Sequence, residues 1–310
     1  MSKTREQASV RTGGREASSY LSTLQQASEG PLGLLRRILR NPKGLFGVTC
    51  LLLLIFVAIF SPLVARTDPD TINPADQLSS VSTSYWFGAD ELGRDIYSRV
   101  VYGTRPALMA GITAVLLAAF VGTVTGIVAG YMGGTFDAII MRIWDTLLAF
   151  PAIFLAIGIV AVLGPGRFNA ILAIAIINMP IFSRVVRAAT FGTKGEEFIT
   201  AAQAIGCSHW RVMYAHVLPN AVVPGIVLMA IAVPEAILIE ATLSFLGLGS
   251  QPPAASWGNM LSNAQSYLSR SFTYAVFPGL AITFTVVAMM FFADALQDAI
   301  DPRRDRSSHE

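Results

Sequence analysis

The chain has 310 residues, of which 53% are hydrophobic and only 14% charged, with a formal net charge of +2. A soluble domain carries about 25% charged residues, so this chain has too few to cover a wetted surface, and water-soluble enzymes and binding modules are excluded as classes. The small net charge says little by itself, and no nucleic-acid partner is expected. The two cysteines, Cys50 and Cys207, lie in an apolar run and a distant polar loop, which implies neither a disulfide framework nor a metal site.

Residues 1–30 are polar, rich in Ser, Gln, Arg and Glu, and read as a mobile tail. The first apolar run begins near Leu45, too deep for a cleaved signal peptide. Crossing a bilayer core takes about 20 apolar residues of helix. Six segments meet that length: 45–65, 106–131, 139–163, 169–187, 222–246 and 274–297. The expected fold is therefore all-α and polytopic, with six transmembrane helices. Arg36, Arg37, Arg40 and Lys43 precede the first span and mark that side as cytoplasmic, as do Arg142, Arg184, Arg187, Lys194 and Arg211 between later spans. Six spans then put both termini in the cytoplasm. The organisation that follows is a tail over 1–40, a first transmembrane helix over 41–66, an extracytoplasmic segment over 67–105, a five-helix domain over 106–298 and a tail over 299–310. A short surface helix is expected within 247–273.

Within the second span, Ala114, Ala118, Gly122, Gly126 and Gly130 repeat every four residues and so line one helical face. Small faces let two backbones approach closely in lipid, where packing drives association. Pro151, Pro180, Pro224, Pro234 and Pro278 interrupt the later spans, each removing a backbone donor. A charge near the middle of a span costs about 2.5–3.5 kcal/mol, so each one needs a partner or a wet path. Arg142 and Asp145, three apart, can pair on one face. Glu235 and Glu240 have no charged neighbour in sequence, and with Arg142 and Asp145 they are candidates for a translocation path or gate. Asp294 sits near the inner end of the sixth span.

The longest inner loop carries EEFITAAQAIGCSHWRVMYAHVLPN over residues 196–220. Phe198, Ala201, Ala202 and Ile205 recur at helical spacing. Gly206 can end that helix, and Ser208 can cap a second one that stops before Pro219. This helix–turn–helix is too short to make a core, so its apolar face needs the membrane surface or another protein.

The run Ala201-Ala202, Gly206 and His216-Val217-Leu218-Pro219 resembles the "EAA" signature of ABC importer permeases. Thr200 stands where that family usually has Glu, which removes any salt link made from that position. The stretches WFGADELGRDIYSRVVYGTR (86–105), Phe150-Pro151, EATLSFLGLG (240–249) and DALQDAIDPR (294–303) resemble the dipeptide, oligopeptide and nickel permeases, in the "C"-type subunit. The likeness runs from 35 to 303. It implies a type I ABC importer permease fold in a prokaryotic inner membrane, with residues 106–298 as its ABC transmembrane domain. It also implies a sister "B"-type permease, one or two cytoplasmic ATPases and an extracytoplasmic solute-binding protein. Thr200, Ala201, Ala202, Gly206, Ser208, Arg211, Leu218 and Pro219 would then couple to the ATPase. Asp90, Glu91, Arg94 and Asp95 would offer a contact surface to the binding protein.

The chain carries no G-x-x-x-x-G-K-[ST] loop, no His-x-x-x-His and no G-x-S-x-G. It is therefore expected to bind no cofactor and catalyse nothing itself, leaving ATP and Mg to partner chains. The solute is expected to be a peptide, with nickel or another small solute as the alternative. An ion-coupled secondary transporter remains a rival; it predicts an inverted internal repeat, and the 196–220 pattern has no second copy.

Overall fold

The computed structural model describes residues 31–300; the tail over 1–30 and residues 301–310 lie outside the described residues. A short helix, α1 (Pro31–Arg40), leads into α2 (Pro42–Ile59), the first span, and a single-turn α3 (Ser61–Val64). The junction is written in the sequence. The Asn41 side chain accepts from the Lys43 backbone N–H at 3.1 Å, and Pro42 takes the first helical position, where a missing N–H costs nothing. α1 folds back so that Ile38 packs on Ala295 and Leu296 of the last span.

α4 (Ile96–Met132) has 37 residues and is about 55 Å long. It begins ten residues before the predicted second span, because Asp95 caps it by accepting from the Ser98 N–H at 3.0 Å. The predicted extracytoplasmic segment is shorter by those ten residues. α4 is followed by α5 (Gly134–Leu148), α6 (Ala152–Leu163) and α7 (Arg167–Lys194). The small-residue stripe of α4 packs on α7. A Cβ added at Gly126 would lie 2.6 Å from the carbonyl oxygen of Ser183, so the two backbones meet with no room for a side chain.

The predicted third span, 139–163, departs from expectation. It is two helices, α5 and α6, meeting at a 93° bend. Pro151 sits at the corner with an extended ψ of 131° and disfavours helix at Phe150 before it. By contrast, Pro180, Pro224, Pro234 and Pro278 all lie inside uninterrupted helices. Among the described residues five helices are long and apolar enough to cross a membrane, or six with the bent pair taken as one.

The rest of the chain forms α8 (Glu197–Ala204), α9 (His209–Val212), a π-helical turn (Met213–Val217), α10 (Leu218–Phe245), α11 (Trp257–Ala264) and α12 (Thr273–Ile300). α10 sits at the centre, against α4, α7 and α12. One apolar core joins α4, α6, α7 and α10, and a second joins α2, α4, α10 and α12. Leu52, Phe120 and Leu280 point outward at more than half exposure, as lipid-facing positions do. The bundle has two ends: one carries residues 65–95 and α11, the other α8 and α9.

Candidate functional site

The segment at the second end is closed by its own sequence. α8 stops at Gly206, whose φ of +88° is open to glycine at little cost. The Gly206 N–H donates to Gln203 O at 3.0 Å and the Cys207 N–H to Ala202 O at 3.1 Å, a Schellman closure. Ser208 then caps α9, accepting from the Arg211 N–H at 3.4 Å.

The apolar stripe read from the sequence divides into two faces. Ile199 and Ala202 turn inward with Val212, Met213 and Val217 and pack on Ile127, Tyr131 and Val186 of α4 and α7. Ala202 is therefore part of the anchor and not of the exposed face. Phe198, Ala201 and Ile205 turn outward and are joined by Trp210 and Tyr214 from α9 and the π-turn. Ile205 is 82% exposed, Trp210 70% and Tyr214 74%, a cluster that water does not favour. Thr200, Ser208 and Arg211 border this face and are exposed.

The second helix does not end before Pro219. It continues through the π-turn into α10, so that residues 209–245 form one apolar run. Pro219 has no N–H, and a regular helix would be strained here. The backbone instead widens: the Leu218 N–H donates five residues back to Met213 O, and Asn220 Nδ2 donates to the His216 carbonyl at 2.8 Å. Leu218 and Pro219 thus lie at the joint between the exposed segment and the central helix of the bundle.

The charged residues of the spans are arranged differently from the sequence expectation. Asp145 pairs with Arg184 of α7 at 2.6 Å and not with Arg142, which is exposed. Arg187 grips Asp137 with two bonds of 2.5 Å each. The two pairs strap the amphipathic α5 to α7, because a partner on a facing helix can meet a carboxylate end-on where a residue three along must bend back. Glu235 is exposed, whereas Glu240 is buried and accepts from Ser244 Oγ at 2.7 Å. Five positions apart, they point about 140° away from each other around α10 and do not form one site.

At the opposite end, three of the four expected contact residues are buried. Asp90 is 0% exposed, Arg94 6% and Asp95 4%. Asp90 Oδ1 accepts from the Leu92 and Arg94 N–H groups, and Arg94 Nε donates to Asp90 Oδ2 at 2.6 Å. Glu91 accepts from Arg94, from Asn263 at 3.1 Å and from the Tyr274 hydroxyl. Arg99 ties Pro69, Asp70 and Pro253 together. These residues clamp 66–95 to α11 and α12 from within. Nearby, burial and the hydrogen bond to Asp76 push the Tyr85 phenol above its ordinary pKa, so it stays a donor. The surface helix expected in 247–273 is α11, held by the Trp257 indole N–H donating to Val100 O at 2.9 Å.

Comparison with known proteins decides the class. Residues 122–306 match the family described as binding-protein-dependent transport system inner membrane component. Residues 33–80 match the N-terminal transmembrane domain of oligopeptide transport permease C. The chain belongs to this family of inner-membrane permeases. The permease is 42% identical over 268 residues to the dipeptide transport system permease protein DppC of Alkalihalophilus pseudofirmus, covering 86% of this chain and 88% of that one. It is 41% identical to the glutathione transport system permease protein GsiD of Pectobacterium atrosepticum, covering 86% and 89%. It is 38% identical to the probable D,D-dipeptide transport system permease protein DdpC of Escherichia coli K12, covering 85% and 88%.

The longer match spans the last 11 residues of α4, all of α5 to α12 and therefore the whole exposed segment; the shorter spans most of α1, all of α2 and α3 and part of the chain that follows. Three features of the permease were not found by sequence reasoning. The Asp137–Arg187 fork joins residues fifty apart that no local spacing connects. The π-turn was masked by Pro219, which reads as a stop. Tyr131, the penultimate residue of α4, carried no signal beyond being an aromatic at a helix end.

Proposed function

We propose that this permease forms half of the translocation path of an ATP-driven peptide importer and receives the force of ATP hydrolysis through residues 197–217. The observation that carries the reading is the pairing of an exposed apolar face (Phe198, Ile205, Trp210, Tyr214) with a buried anchor and an unbroken connection into α10. An exposed patch of this kind is unfavourable in water and calls for a protein partner. The continuous helical run from His209 into the central helix lets displacement of Trp210 and Tyr214 move α10.

On this reading α8 and α9 lie in the cytoplasm against an ATPase on a separate chain, where ATP and Mg are bound, and both termini lie on that side. A sister permease of related sequence supplies the other half of the path. A solute-binding protein docks at the 65–95 end on exposed positions such as Asp68, Ile72, Val81 and Trp86 instead of the buried Asp90, Arg94 and Asp95. The relatives named for dipeptides, D,D-dipeptides and glutathione favour short peptides as cargo, and the choice among them rests with the binding protein.

The test is uptake of labelled di- and tripeptides, glutathione and Ni²⁺ into proteoliposomes holding the complete complex. Uptake of a peptide that needs both ATP and the binding protein is the expected result. Uptake driven by a proton or sodium gradient without ATP would overturn the reading in favour of ion-coupled transport.

A further inference from the structure

We propose that Tyr131 is the positioning residue that ties both halves of the exposed segment to the second and fourth spans, so that movement of the segment reaches α4 and α7 as well as α10. The inference rests on the coupling role given to residues 197–217 and names the residue that transmits the motion sideways.

Four elements meet at this side chain. Tyr131 is 5% exposed at the end of α4. Its hydroxyl lies 3.0 Å from His209 Nδ1 at the start of α9, and Gln203 Nε2 of α8 donates to it at 3.3 Å. Its backbone carbonyl accepts from Lys194 Nζ, in the last turn of α7, at 2.6 Å, and the same ammonium lies 5.4 Å from its ring centroid. That carbonyl belongs to the last turn of α4 and has no partner within the helix, so a cation there also meets the negative end of the helix dipole. Gln203 donates to the phenol oxygen, and the same hydroxyl shares a hydrogen bond with His209 Nδ1 whose donor is set by the imidazole tautomer.

Apolar packing alone would not do this. Ile199, Ala202, Val212, Met213 and Val217 hold the segment on the bundle through burial, which is non-directional and resists separation better than sliding. Hydrogen bonds are directional, and the two on the Tyr131 hydroxyl lock α8 and α9 in register with α4. A cavity of about 300 Å³, lined by Tyr131, Met132, Lys194, Gln203 and His209, lies beside the tie.

The experiment compares peptide imported per ATP hydrolysed by the complete complex in proteoliposomes. Tyr131→Phe keeps the ring, its cation contact and the carbonyl and deletes only the hydroxyl. The ratio is expected to fall by between about fivefold and about thirtyfold, the factors carried by one and by two hydrogen bonds of average net strength. His209→Ala should lower it comparably, His209→Gln, which keeps an acceptor, should restore most of it, and Tyr131→Phe combined with His209→Ala should be no lower than Tyr131→Phe alone. If Tyr131→Phe does not accumulate, Gln203→Leu and His209→Ala, both at exposed positions, carry the test. A wild-type ratio in Tyr131→Phe, or strictly multiplicative losses in the double variant, overturns the proposal. Trp210→Asp separates this from the coupling reading: if it releases the ATPase while Tyr131→Phe is unaffected, only the role of Tyr131 falls; if it leaves ATPase and uptake intact, the coupling role itself falls.

Discussion

A single methyl group at Gly126 should weaken the permease, while the same methyl at Gly158 should not. The Cβ of Gly126→Ala would stand 2.6 Å from Ser183 O, 3.0 Å from Val186 Cβ and 3.1 Å from Arg187 N. Carbon contacts are favourable at about 3.5–4.0 Å, and two of these three obstacles are backbone atoms that cannot swing aside. α4 and α7 must therefore separate by an appreciable fraction of an ångström. Overpacking of this kind costs about 1–3 kcal/mol, against which alanine recovers about 1 kcal/mol of helix propensity. The expected net loss is about 0–2 kcal/mol, toward the upper end because two of the three contacts are with backbone atoms. At Gly158, in α6, an added Cβ meets nothing within 4 Å, so only the propensity gain remains. Thermal denaturation of the purified complex in one detergent compares them: the midpoint should fall for Gly126→Ala and hold or rise for Gly158→Ala. Equal midpoints, or a more stable Gly126→Ala, would refute the close backbone approach.

Other substitutions test separate parts of the account. Gly206 has φ +88° and no atom within 4 Å of an added Cβ, so conformation and not space limits it; Gly206→Asn should keep most peptide uptake and Gly206→Val should lose most of it, since β-branched residues rarely reach positive φ. Arg94→Met removes the 2.6 Å partner of buried Asp90 and leaves Arg99 at 3.7 Å, so the cost should fall below the about 3–5 kcal/mol of a buried charge left with no partner, and residues 66–95 should become more open to limited proteolysis while membrane insertion persists. Arg187→Gln removes the two-bond grip on Asp137 at a cost of about 1–2 kcal/mol, discounted because Arg187 is partly exposed; exchanging the two residues (Asp137→Arg with Arg187→Asp) should recover part of the lost thermal stability.

The spans were legible because a bilayer demands about 20 apolar residues and the sequence supplies such runs with charged borders. The small-residue stripe was legible because periodicity alone puts Ala114 to Gly130 on one face. The loop was legible at Gly206 and Ser208, where one residue decides one turn. Errors arose where a residue answers to a distant partner. Asp145 has an attractive neighbour in Arg142 but meets Arg184, and Asp90 and Arg94 look like surface charges but neutralise each other in a closed interior. Proline misled in both directions. Pro151 breaks a span that its apolar composition suggested was whole, and Pro219 is absorbed by a π-turn where a stop was expected. Local rules state what a proline removes, and the tertiary contacts decide whether the helix recovers it.

The most direct measurement places a photo-crosslinking residue at Ile205 or Trp210 in the assembled complex within its native membrane. The account predicts adducts with the ATPase at both positions, and none at Val81 from the opposite end. Adducts with lipid only, or labelling of Ile205 by a membrane-impermeant reagent applied to intact cells, would contradict it.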